Sequence, residues 1–233
     1  MFDLVIFDCD GVLIDSEIIS ARMLVDALAG LGVTIDMDYV ARHFLGRSYP
    51  TVMKVIRAEF GLTLTAEFEE QYRARLLAAF ETELRVMPGV RAVLERLTPP
   101  PVVGPPSFAP SPTPVPWCVA TSSSPRRAER SLQIAGLSDL TAGRVFTASM
   151  VARGKPAPDL FLHVAAHYGA RHCLVIEDSL NGVRAGLAAG MEVWRFTGGS
   201  HLVAPLPEAP EDARAHLEFT DFAEFSALLA RRA

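Results

Sequence analysis

Apolar residues gather in short runs of strand length, and between these runs they recur at helical spacing. The runs are 2–7, 117–120, 173–176 and 193–196, with a shorter one at 145–146. Residues 126–135, 156–168 and 180–189 carry the 3.6-residue period between them. Continuously apolar strands alternating with helices predict a parallel sheet covered on both faces. Right-handed crossovers then give a doubly wound α/β fold, with ligands expected outside the carboxyl ends of the strands.

Residues 16–84 break that rhythm. They hold no convincing strand run and several helical stripes. Ile19, Met23, Ala27, Leu28 and Leu31 share one face, with Gly32 as a stop. Helices are expected over 38–45 and 51–60, and a fourth opens at Thr65 and runs through Tyr72, Leu76 and Phe80. The expected organisation is an α/β core over 1–15 and 85–233 with an inserted α-helical cap domain over 16–84. Pro88-Gly89 marks the return to the core, followed by a helix over 90–97.

Composition narrows the class. In 233 residues, 22 basic against 27 acidic side chains argue against a nucleic-acid surface. No apolar stretch reaches the length of a membrane span, and no signal-peptide pattern opens the chain, so no membrane partner and a cytoplasmic location are expected. Cys9, Cys118 and Cys173 are far apart, odd in number and set in apolar runs, which reads as buried thiols without disulfide or zinc. The segment 99–116 carries nine of the seventeen prolines. It is expected to be irregular or polyproline II, either a tolerated loop insertion in the core or a ligand for a partner domain.

Carboxylates mark the strand ends. The first run leads into Asp8-Cys9-Asp10-Gly11, and the third ends in Glu177-Asp178-Ser179. Either pair alone could be a turn or a helix cap. Two pairs delivered to one sheet edge repel one another unless a cation neutralises them, and a hard divalent ion such as Mg²⁺ fits that set. The second run ends in Thr121-Ser122-Ser123-Ser124-Pro125, where hydroxyls and free N–H groups at a helix start can hold an anion, with capping by Ser124 as the plainer role. Lys155, one of only two lysines, lies in Gly154-Lys155-Pro156 ahead of a helix, placed to face a phosphate. The six histidines match no ligand spacing and read as surface or packing residues.

Taken in order, DCDGVLIDSE (8–17), ATSS (120–123), GKPAPD (154–159) and VIEDSLNGVRAG (175–186) resemble the haloacid dehalogenase superfamily, in its sugar-phosphate phosphatase and β-phosphoglucomutase branch with a helical cap. The resemblance implies Asp8 as nucleophile, forming an aspartyl phosphate, and Asp10 as general acid and base. It implies Thr121, Ser122 and Lys155 on the phosphoryl oxygens. It further implies Mg²⁺ held by Asp8, the main-chain carbonyl of Asp10, and Asp178, with Glu177 direct or through water. Arg47, in Leu45-Gly46-Arg47-Ser48, resembles the specificity loop of the cap and would reach the distal end of a substrate. The expected activity is a Mg²⁺-dependent phosphatase acting on a small phosphorylated metabolite, with a phosphosugar mutase as the alternative.

Overall fold

The computed structural model describes residues 2–44, 47, 49–98, 115–203 and 205–232, Ala41 by its backbone only. The chain opens with β1 (Leu4–Phe7) and passes into four helices, α1 (Glu17–Ala29), α2 (Met37–His43), α3 (Tyr49–Phe60) and α4 (Ala66–Glu83). It returns through α5 (Val90–Leu97) to β2 (Trp117–Thr121), α6 (Pro125–Ile134), α7 (Ser138–Thr141) and β3 (Val145–Thr147). Then follow α8 (Asp159–Tyr168), β4 (Cys173–Glu177), α9 (Leu180–Ala188), β5 (Glu192–Phe196), β6 (Leu217–Phe219) and α10 (Phe225–Arg232). Most of the proline-rich segment, 99–114, lies outside the described residues.

The sheet is parallel throughout, in the order β3-β2-β1-β4-β5-β6. The first strand is therefore central. From it the sheet grows one way through β2 and β3 and the other way through β4 to β6. The strand order reverses beside β1, which makes its carboxyl end the crevice where ligands enter such sheets. The register Phe7↔Ile176 sets Asp8 directly against the end of β4, and the Asp8 N–H donates to the Ile176 carbonyl at 2.9 Å.

Strand period decides the two halves of the core. Leu4 and Ile6 face Leu160, Phe161, Val164 and Val183 on one side of the sheet. Val5 and Phe7 face the other, where Phe7 packs against Trp117, Phe222 and Phe225. The same cluster continues into α1–α4 through Ile19, Leu28, Ile56, Leu76 and Phe80. Apolar surface buried in this layer contributes about 25 cal/mol per Å².

Several expected boundaries shift. The first helix stops at Ala29, so Leu31 is 43% exposed and Leu24 takes the buried place on its face. The helix expected over 156–168 begins at Asp159, which leaves Lys155 in the turn before it. Ser124 is the N-cap residue of α6 and Pro125 starts that helix, but the Ser124 side chain makes no capping bond. Thr65 does cap α4, accepting from the Phe68 N–H at 3.1 Å. Among the described residues no helix is long and apolar enough to cross a membrane, and the three cysteines are free and buried.

Candidate active site

Four chain segments meet at the carboxyl edge of the central strands. Asp8 follows β1, Thr121 ends β2, Lys155 sits in the turn before α8, and Glu177-Asp178 closes β4. All five of these side chains belong to buried residues. With α1–α4 they line a cleft of ≈ 900 Å³.

The acidic trio Asp8, Glu177 and Asp178 offers one oxygen each within 4.8 Å of one another. Lys155 bridges two of them, its Nζ donating to Asp8 Oδ1 and to Glu177 Oε1 at 2.6 Å each, with a third bond to the Ala120 carbonyl at 2.9 Å. Burial alone would discharge the lysine, but the two carboxylates outweigh it and raise its pKa. Burial pushes the Asp8 carboxyl well above its ordinary range; Lys155 pulls it down, and Glu177, Asp178 and Asp10 add repulsion. Three carboxylates face one ammonium here, with the His201 imidazole beside Asp178, and the surplus of negative charge that remains is poorly stabilised in this low-dielectric pocket.

That surplus tests the fit of a divalent cation. Asp178 Oδ2 is buried and no donor is aligned with it, although His201 Nε2 stands 2.9 Å away as an ion pair. Glu177 differs, because its Oε2 accepts from the N–H groups of Asp178 and Ser179 and from the Ser179 hydroxyl, at 3.0–3.1 Å. The residues present fit a hard cation, with Asp8 and Asp178 the better-placed side chains and Glu177 also serving as the clamp on Lys155.

Two glycines make this packing feasible. Gly11 has φ +80, and a Cβ there would lie 2.0 Å from Asp178 Oδ2. A Cβ on Gly182 would stand 1.7 Å from Glu177 Oε1. Ser179 caps α9, accepting from the Gly182 N–H at 3.1 Å.

Asp10 faces a different set of groups. Its Oδ1 accepts from Ser16 Oγ at 2.6 Å and Arg127 Nη2 at 3.0 Å, and its Oδ2 from Ser123 Oγ at 2.6 Å and Thr121 Oγ1 at 3.5 Å. Burial would raise this carboxyl, but the Arg127 guanidinium and the hydroxyls of Ser123 and Ser16 hold it below the usual range. Ser16 is the N-cap residue of α1, yet its hydroxyl serves Asp10 and not the helix. Ser122 Oγ is buried without a partner, and Arg47 lines the cleft, while Leu45, Gly46 and Ser48 lie outside the described residues.

Sequence reasoning missed Arg127 and His201 at this site, and it did not assign the motif residues Ser16 and Ser123 to Asp10. The reading of all six histidines as surface or packing groups needs correction at His201, whose side chain is 4% exposed against Asp178. Nothing in its local spacing signals this, because its partner lies on the neighbouring strand end.

A family model described as haloacid dehalogenase-like hydrolase matches residues 2–190. The chain belongs to that family. This hydrolase is 30% identical over 200 residues to the 6-phosphogluconate phosphatase of Escherichia coli K12, covering 84% of this chain and 83% of the relative. Hexitol phosphatase A of the same organism is 33% identical over 193 residues, covering 81% and 80%. A haloacid dehalogenase family hydrolase from Deinococcus radiodurans, solved with bound phosphate and sodium, superimposes with a TM-score of 0.69 at 30% identity, covering 99% of this chain and 96% of that one. By family and by these relatives the enzyme is a phosphatase.

Proposed function

We propose that this hydrolase is a Mg²⁺-dependent phosphatase that cleaves a small phosphorylated metabolite, a sugar or sugar-alcohol phosphate, through an aspartyl phosphate on Asp8. The observation that carries the reading is the Lys155 bridge between Asp8 and Glu177 at the switch point of the sheet. A carboxylate must there attack a dianion, and its repulsion has to be offset by fixed positive charge. The phosphatases matched over four fifths of both chains support a hydrolytic outcome over phosphosugar mutation.

In this reading an Asp8 oxygen forms a bond to phosphorus, and the bond from phosphorus to the ester oxygen breaks with its electron pair going to that oxygen. Asp10 enters this step protonated, against the pull of Arg127 and its hydroxyl donors, and gives that proton to the departing oxygen. Asp10 then takes a proton from water as the aspartyl phosphate is hydrolysed, which returns Asp8 and releases phosphate. Thr121, Ser122 and Lys155 hold phosphoryl oxygens; Ser122 Oγ, buried and unpartnered, is free to do so. Asp8, the Asp10 carbonyl and Asp178 would hold Mg²⁺, with Glu177 direct or through water. The ion supplies charge neutralisation and Lewis-acid polarisation of the phosphoryl group when bound.

Residues 16–84 act as a cap domain over the core formed by 1–15 and 85–233, shutting water from the cleft, with Arg47 at the distal end of the substrate. The three buried free thiols are consistent with a cytoplasmic protein whose partner is the metabolite. The test is phosphate release across phosphorylated metabolites, with and without Mg²⁺. Wild type should turn over several phosphosugars only with the metal, and Asp8→Asn should lose at least ~10³-fold. An Asp8→Asn variant that keeps its rate refutes the reading.

A further inference from the structure

Arg127 belongs to none of the four motifs, yet it is the only cation bonded to Asp10 among the described residues. It is also held in place by its own surroundings. Its Nη2 donates a second time, to Ser20 Oγ on α1 at 3.1 Å, and its guanidinium lies 5.7 Å from the centre of the Phe80 ring on α4. The side chain thus rises from α6 and is wedged between two helices of the 16–84 block and the Asp10 carboxylate.

The two Asp10 oxygens are not equivalent. Oδ1 accepts from the Ser16 hydroxyl and from a guanidinium, and the guanidinium only donates and stays charged at any working pH. Oδ2 faces the hydroxyls of Ser123 and Thr121, and a hydroxyl can turn to accept as well as donate. Thr121 and Ser123 line the cleft together with Asp8.

We infer that Arg127 is a positioning residue. It pins Asp10 Oδ1 as a fixed acceptor, so that Oδ2 is the oxygen presented to the departing ester oxygen and to the attacking water. This rests on the role of Asp10 given above. The alternative is that Arg127 only ties α6 to α1 and α4; that tie would affect stability and substrate binding without acting through Asp10.

A double-mutant cycle separates the two. Wild type, Arg127→Gln, Asp10→Asn and the double variant are compared in single-turnover and steady-state reactions with Mg²⁺. The alkyl ester is the sugar or sugar-alcohol phosphate that wild type turns over fastest in the phosphate-release screen, and p-nitrophenyl phosphate serves as an ester whose leaving group needs no proton. Arg127→Gln should lower kcat on the alkyl ester about tenfold or more with KM nearly unchanged, within the range of a misplaced acid–base group. In the Asp10→Asn background the same change should cost less than about twofold, because the step it serves is already gone. The first turnover of p-nitrophenyl phosphate should keep its wild-type rate, followed by slow turnover. Arg127→Lys should recover part of the loss, and it carries the same cycle should the Gln variant fail to fold. Equal losses in both backgrounds, or equal slowing of the first turnover on both esters, overturn the proposal and leave the phosphatase reading intact. An Asp10→Asn variant as active as wild type overturns both.

Discussion

Glu17 shows how one side chain reports on the charge of the whole site. It is the first residue of α1 and lines the cleft. Burial pushes its carboxyl from 4.5 up to about 8, with Asp10 and Asp178 adding repulsion against the pull of His201 and Arg127. The folded metal-free protein therefore binds this proton more tightly than the unfolded chain. The stabilisation is complete below pH 4.5 and is lost as pH rises to about 8, where the folded carboxyl ionises as well. With chelator present, the urea midpoint should fall between pH 5 and pH 8, and Glu17→Gln should flatten part of that fall. An identical fall in both proteins would show that Glu17 carries none of it. Residues of this kind divide by how they can be found. Asp8, Lys155 and Asp178 follow apolar runs or sit between Gly and Pro, so spacing along the chain exposes them. Arg127 and His201 acquire their meaning from partners 117 positions away at Asp10 and across the sheet edge at Asp178, and no local pattern records that.

At the scale of the element, α9 sets local preference against its place in the fold. Gly182 lies in its first turn, where alanine would favour the helix by about 1 kcal/mol. Yet the added methyl would stand 1.7 Å from Glu177 Oε1 and 1.8 Å from its carboxyl carbon. Glu177 would have to leave Lys155 and the Ser179 donors, stranding buried charge at a cost of roughly 3–5 kcal/mol. Gly182→Ala should therefore be destabilised by about 2 kcal/mol or more in denaturant titration and should lose most of its phosphate release. A variant as stable as the parent would mean that Glu177 can relocate freely. The same contest between local signal and tertiary position explains which elements were legible. The strands β1, β2 and β4 announce themselves because both of their faces are covered and their runs are apolar, while β5 shows through Val193, Trp194 and Phe196 despite the buried Arg195 among them. The edge strand β6 has only three residues, with Glu218 exposed among them, and α10 buries a single residue of its own, Phe225. Their aromatic residues join the cluster around Phe7 and Phe196, which becomes apparent only once the sheet is assembled.

For the molecule as a whole, the strand order makes the site a property of the complete fold. Asp8 and Asp178 are 170 positions apart and become neighbours only through the pairing of β4 with β1, across the intervening helical block and β2–β3. The unfolded chain cannot gather these oxygens, so a cation that binds them binds the native state alone. Linkage then converts binding into stability, at about 2.7 kcal/mol when Mg²⁺ stands at 100 times its dissociation constant. For a chain of this length that is roughly 5–10 °C in the melting temperature. Relief of repulsion among the three carboxylates is one source of that affinity and is already contained in the dissociation constant. Mg²⁺ should therefore raise the melting temperature in a saturable way, and Asp178→Asn should abolish most of the rise. A NaCl control at matched ionic strength decides the cause. Screening of the chain's net charge of −5 would act for either salt, whereas occupancy of the trio at the end of β1 and β4 requires the divalent ion. An equal rise in both salts, or one that survives in Asp178→Asn, would remove the metal from this edge of the sheet.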